Sequence, residues 1–190
     1  MAGKIDIINF ALRILGAAPI TAITDDSEAA RIANHVWDIC VDDVLVDHNW
    51  NFATCRATLA EDAESPDFGY DNQFVLPINP YCLRVIRMAD IDTEYKVEGR
   101  LLLCNDSEAQ IIYIGRITDT TEFSPKFVSV LAARLAAEMA YPLLQSVSKR
   151  KLAMDDYKMK LVDARCVDGM EGSVEKIEAE EWIEARGDTD

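Results

Sequence analysis

Between Asp25 and Leu59 the spacing of apolar residues changes once, and that change organises the chain. Ala29, Ile32, Ala33, Val36, Ile39, Cys40, Val44 and Leu45 recur at intervals of three and four, which predicts one amphipathic helix of about five turns. Ser27 is placed to cap it, and Asp25, Asp26 and Glu28 put negative charge where a helix N-terminus favours it. The helical pattern stops at His48-Asn49. Trp50-Asn51-Phe52 then leads into an extended run through Thr54, Thr58 and Leu59. Two aromatics, each burying roughly 150–250 Å², therefore stand where a helical layer meets a sheet, and both are expected in the core.

The same reading extends in both directions. Ile5, Ile8, Leu12 and Leu15 share one face of a first helix that Gly16 ends, and a short connection through Pro19 sets it antiparallel to the long helix. From Phe52 to about Thr121 the period becomes that of strands. Gln73 to Leu76 and Leu83 to Met88 are strands separated by Pro77-Ile78-Asn79-Pro80, and Tyr95 to Leu103 is a tight hairpin turning at Gly99. Ala109 to Ile114 follows as the next strand of that meander. Both its faces are apolar, so cover is expected from the helices on one side and from a second sheet or a neighbouring subunit on the other. Ser65 to Asn72 is a turn-rich loop that carries Phe68 and Tyr70 toward the surface.

Helical spacing resumes at Ser124-Pro125, with Phe127, Val130, Leu131, Leu135, Met139 and Leu143 on one face and alanines over much of the rest. Arg134 and Glu138 form an i,i+4 pair, and Pro142 is expected to kink or end the helix near Ala140. Ser148 is the expected cap of a last helix whose narrower seam is Met154, Tyr157, Leu161 and Ala164. The predicted class is α+β: a four-helix bundle formed by the N- and C-terminal helix pairs, with an inserted antiparallel β-rich region. Residues 1–51 and 123–169 form the bundle, 52–122 the insertion and 170–190 an acidic C-terminal tail.

Composition narrows the function more than the fold. The chain has 190 residues, 49% hydrophobic, and a formal charge of −15 from 34 acidic and 19 basic residues. Affinity for nucleic acid comes largely from Lys and Arg, so a phosphate-binding face is not expected. A negative wall from which DNA slides away is compatible with the charge. Five scattered cysteines with no CxxC argue against disulfide frameworks and zinc sites and fit a reducing compartment. Asp6, Asn9 and Arg13 interrupt the apolar N-terminal run, so it reads as helix rather than signal peptide. No apolar run approaches the roughly 20 residues of a membrane span, and a soluble intracellular protein is expected.

Chemistry is sparse. GxSxG, Walker, GxGxxG and HExxH patterns are missing from the sequence. His35 and His48, thirteen positions apart on one helix, are separated by about 20 Å at 1.5 Å per residue. They cannot share a metal, and His35 does not face Cys40 well enough to act as its base. Neither a metal nor a cofactor is expected. Asp42, Asp43 and Asp47 crowd the C-terminal end of the long helix, where acidic groups oppose the macrodipole. They read as a solvated face, as contacts for a Lys or Arg of a neighbouring copy, or, least, as a cation site. Lys149-Arg150-Lys151 is too short to specify nucleic acid. From Asp163 to Asp190 ten residues are acidic and three basic, yet Trp182 and Ile183 lie among them. That tryptophan either packs back on the bundle or anchors a partner.

INFALRILGAAPI, the 25–59 stretch, FVLP, LRV, YKVEGRLLL and IIYIGRITDTTEFSPKFVSVLAARLAAEMA, in this order over residues 5–168, resemble the tail tubular protein A family of short-tailed bacteriophages and related prophages. The resemblance implies a head-to-tail adaptor: a virion protein without catalytic activity, present in the host cytoplasm during assembly. It implies self-association into a ring, twelve-fold in known cases, beneath the portal protein. Such a ring extends the channel for double-stranded DNA and receives the tail nozzle protein. The implied fold is a helical bundle with an attached β domain. A head-to-tail ring needs two unlike faces on each copy. The Phe68–Tyr70 loop and the doubly apolar strand are candidates for one, and Trp182 with Ile183 for the portal contact. The alternative is an acidic intracellular regulatory protein that binds a basic partner through its C-terminal tail.

Overall fold

The structure, a computed structural model, describes residues 2–171. Among the described residues the class is α+β, with four α-helices and two antiparallel sheets. Helix α1 (Lys4–Leu15) ends at Gly16, whose φ of 71° is a left-handed conformation that glycine adopts without strain. Asn9, one of the polar breaks in this helix, clamps the chain beyond it. Its side chain donates to the Ile20 carbonyl at 2.9 Å and accepts from the Ile20 amide at 2.8 Å. Helix α2 (Glu28–Val46) is capped by Ser27, which accepts from the Ala30 amide at 3.2 Å.

The buried face of α2 lies on Ala30, Ala33, Trp37, Cys40, Val41 and Val44, so Ile39 falls outside it and is 58% exposed. The reason lies in α3 (Pro125–Leu144), the hub of the helical layer, against which α1, α2 and α4 (Val147–Gly169) all pack. Helices α1 and α2 thus share α3 as their main partner, while Lys4 of α1 lies 4.9 Å over the Trp37 ring of α2. Ten residues of α3 have no more than trace exposure, five of them alanines that let its neighbours approach closely. By length and composition α3 is apolar enough to cross a membrane, which the sequence reading did not expect of any segment. A helix packed against three others is apolar nearly all round for the same reason.

Two local expectations fail at the end of this layer. Pro142 sits inside α3, which continues to Leu144 and ends at Gln145 with φ of 48°. Ser146 rather than Ser148 caps α4, accepting from the Lys149 amide at 3.3 Å.

The strands fall into two sheets. One has the order β1 (Thr54–Thr58), β7 (Gln110–Gly115), β4 (Cys82–Met88). The other has β2 (Ala60–Glu61), β3 (Asn72–Val75), β6 (Leu101–Cys104), β5 (Tyr95–Glu98). The β5–β6 hairpin turns at Gly99-Arg100, with Gly99 at φ 59°. The strand at 110–115 does not extend that meander. It crosses to the other sheet and pairs with β1 and β4 on its two edges.

This central position explains its two apolar faces. Ile114 joins the helical core, while Ile111 and Tyr113 join a second core with Phe74, Leu76 and Leu102. Side chains alternate across a strand, so β7 feeds both cores at once. Of the two covers considered for its outer face, the second sheet is the one present, and a neighbouring subunit is not needed there. Close approach also fixes Gly115, where an added Cβ would lie 2.9 Å from Cys55 Sγ and 3.0 Å from Pro80 Cβ.

Candidate interaction surfaces

Between α2 and β1 aromatic rings and polar side chains meet in one junction. Trp50 is wholly buried; its ring lies 5.1 Å from Phe127 of α3 and 5.0 Å from His48, both edge-on, and its indole N–H donates to the Val44 carbonyl at 2.7 Å. Phe52 and Phe123 complete the cluster around Phe127, at 5.0 and 4.7 Å. Beside it, Asp168 near the end of α4 is 7% exposed. Its carboxylate meets His48 Nε2 at 3.0 Å and accepts from the Asn51 amide at 3.2 Å, and Asn51 Nδ2 donates to its carbonyl at 2.7 Å. Arg165 also donates to the Asp47 carbonyl. Little in the sequence marks Asp168 as a functional residue. Its one signal was an acid on the core side of the α4 seam, four residues beyond Ala164.

The three aspartates singled out on α2 are spoken for within the chain. Asp42 accepts from Arg116 Nε at 2.6 Å, and Asp38 stands 3.4 Å from the same guanidinium. Asp43 accepts from Arg134 at 2.9 Å, and Asp47 accepts from the Tyr157 hydroxyl. Arg134, whose side chain is 17% exposed, also holds Glu138, the pair expected from the sequence. Burial works against the charge on Arg134, but Asp43 and Glu138 outweigh it and raise its pKa. Solvation and a neighbour's cation were the expected uses of these acids. Asp43 and Asp47 are indeed exposed, and within the chain α3, α4 and the segment after β7 supply partners to all three.

Buried hydroxyls and thiols here are held neutral. Burial pushes the Cys40 thiol up to about 12, while His35 lies exposed on the same helix, so the two make no nucleophile–base pair. Tyr113 is pushed up to about 12, chiefly by burial, and Tyr157 is raised by burial and then by its bond to Asp47. A group whose folded pKa is raised stabilises the fold fully below its unfolded pKa, and that contribution is lost as pH rises through the folded value. Stability contributed by these two phenols is therefore complete below pH 10 and declines above it. An alkaline absorbance titration is expected to show two tyrosines that ionise only as circular dichroism reports unfolding. Ionisation of every tyrosine before any loss of structure would contradict this.

The loop carrying Phe68 and Tyr70 stands apart from both cores. Phe68 is 88% exposed, and Tyr70 is half-buried. Gly69, at φ 92°, sets the bend between them. Asp71 donates its amide to Asn105 Oδ1 at 3.1 Å, and Asn72 Nδ2 donates to the Asp106 carbonyl at 3.0 Å, which ties the loop's stem to the β6–β7 turn. Behind the two aromatics lies an open hollow of about 480 Å³, bordered by Gln73, Lys96, Leu101 and Leu103. Ile91 is also exposed in the β region, and Ile78 is exposed beside Tyr81, with which it forms an isolated bridge.

Arg100 was invisible as anything but a turn residue. It donates to the carbonyls of Leu76, Pro77 and Cys82 at 3.2, 2.6 and 2.8 Å and lies 4.0 Å over the Tyr81 ring, pinning the turn that contains the cis Asn79–Pro80 bond. Among the described residues no group of three or more His, Cys, Asp or Glu is arranged to hold a metal ion. Trp182 and Ile183 lie outside the described residues. No protein-family model matches the chain, and no curated protein matches it.

Proposed function

We propose that this chain is a structural, non-catalytic subunit that repeats around a ring and joins two larger assemblies, as the phage head-to-tail adaptors it resembles join portal to tail nozzle. In this reading the four helices act as one bundle into which residues 52–122 are inserted as a β module. The bundle gives the wedge its rigid body, and the β module projects a contact surface. Ring and channel belong to the virion, and the charge of −15 favours DNA that slides past rather than binds.

The observation that carries the reading is the Phe68 loop. A nearly fully exposed aromatic beside Tyr70, at a hollow lined by both apolar and charged residues and on a stem tied by hydrogen bonds, has the character of an interface anchor presented on a fixed support. The strand β7 no longer serves as that face, because both its sides are covered within the chain. The order of similar segments over residues 5–168 supports the same reading.

Electron microscopy of the chain mixed with purified portal dodecamer tests it, with a ring of added density on the portal as the expected result. Two anchors worth about 2 kcal/mol each predict that Phe68→Ala with Tyr70→Ala weakens assembly by roughly a thousandfold in affinity. Unchanged assembly of the double variant removes the loop from the interface. No density on the portal with the unaltered chain removes the adaptor reading itself.

A further inference from the structure

Strand β5 is an edge, last in the order β2, β3, β6, β5. The hydrogen bonds of its neighbours fix which way its backbone points. Leu76 N–H donates to the Arg100 carbonyl at 3.0 Å, so Arg100, Leu102 and Cys104 bond toward β3 and the alternate Leu101 and Leu103 toward β5. Across the hairpin these two meet Glu98 and Lys96. The N–H and carbonyl groups of Tyr95 and Val97 therefore point out of the sheet edge, and among the described residues neither has a backbone partner there. Lys96, Val97 and Glu98 are all exposed.

The side chains of this edge carry a pattern. Phe74, Leu102 and Val97 stand in one row across the core face of the sheet, at 1%, 0% and 41% exposure, so the row stays apolar to its end and is uncovered there. On the opposite face Lys96 and Glu98 meet at 2.6 Å, with 62% and 55% of their side chains exposed. Charge on an edge strand blocks self-pairing when like signs meet. Neighbouring positions of opposite sign let a lysine meet a glutamate instead. We propose that β5 pairs antiparallel with β5 of a second copy of this chain, about a two-fold axis at Val97.

Charge selects the register. Centred on Val97, the two valines exchange both backbone bonds and cover each other, and each Lys96 stands opposite Glu98 of the other copy. These lysine–glutamate pairs are of the non-hydrogen-bonded kind, the closer one, at about 4.5 Å between Cα atoms. Centring on Lys96 sets lysine against lysine, and centring on Tyr95 sets Glu98 against Asp92. A two-fold contact joins like patches and cannot by itself close a ring, which needs two unlike faces. The dimer is therefore a state of the free chain, beyond the adaptor reading and independent of it.

Sedimentation of the full chain over a micromolar to millimolar concentration series tests it, with a monomer–dimer equilibrium expected. Lys96→Glu or Glu98→Lys alone sets two like-charged pairs across the axis and is expected to weaken the dimer by roughly tenfold or more. Neither variant should change the melting temperature of the monomer, because an exposed ion pair contributes little. Mixing the two variants is expected to restore the dimer, since the glutamates of one copy then face the lysines of the other. The chain carrying both substitutions should dimerise like the unaltered one. The proposal is overturned by a chain that stays monomeric throughout the series, or by single variants that dimerise as tightly as the unaltered chain. A mixture no more dimeric than its two components overturns it as well. None of these outcomes depends on whether the chain binds a portal.

Discussion

Trp50→Ala is expected to cost the fold about 4 kcal/mol, within the range for large aromatics deleted from cores. Trp50 is wholly buried where α2 ends, and it bridges His48 to Phe127 of α3. Deleting the ring leaves a cavity lined by Phe52 and Phe127, neither of which can move far because each also packs on other rings. It also removes the donor to the Val44 carbonyl. Against a total stability of roughly 5–15 kcal/mol, this is a large fraction. For a chain of this length the melting temperature should fall by about 8–16 °C. Trp50→Phe keeps most of the packing and loses the N–H, so about 1–2 kcal/mol is expected. Denaturant melts of both variants check the pair; an alanine loss under about 1 kcal/mol would show that the junction is not the core it resembles.

Asp168→Ala is expected to cost about 2–3 kcal/mol, because a nearly buried carboxylate that accepts from both His48 and the Asn51 amide leaves both groups without it. The loss should be local before it is global. Asp168 fastens the end of α4 to the turn after α2, so amide exchange in the last two turns of α4 should accelerate more than exchange in α3. Asp168→Asn keeps an acceptor oxygen and should lie between the alanine variant and the unaltered chain. Exchange at the end of α4 that does not change would rule out the clamp. Because Asp168 and Trp50 meet through His48 and Asn51, the double variant should be less destabilised than the sum of the two.

Much of the local structure was legible in the sequence, and the successes share a cause. Ser27, Ser124, Gly16 and Gly99 act within a turn or two of their own position, so a cap or a tight turn needs no knowledge of what lies elsewhere. The seam of α4 was read in phase at Tyr157, Leu161 and Ala164. The seam of α2 was read correctly at Ala33, Cys40, Val44 and Leu45 but not at its edge, since Ile39 and Trp37 are both apolar and only the position of α3 decides which is covered. Pro142 was expected to kink or end α3 near Ala140. The helix runs two residues past it to a left-handed Gln145, a tolerance that belongs to the last turn.

The candidate surface was legible in one place and misread in another. Phe68 stands out because an aromatic beside Pro66, Asp67 and Gly69 has no periodic neighbour to pack against. Asp42, Asp43 and Asp47 looked equally available, but Arg116, Arg134 and Tyr157 come from 74, 91 and 110 residues further along the chain. Nothing in the spacing of the acids announces those partners.

By itself, then, the sequence determined the elements: their order, most of their caps, the hairpin at Gly99 and the two apolar faces of residues 111–114. Only the tertiary structure decided that α3 is the hub, that β7 crosses to a sheet with β1 and β4, and that Asp168 locks α4 to the Trp50 turn. The physical reason is range. Capping, turn geometry and periodicity are settled by neighbours a few residues apart. Which apolar face meets which, and which cation reaches which carboxylate, is settled only when distant surfaces compete for the same partner.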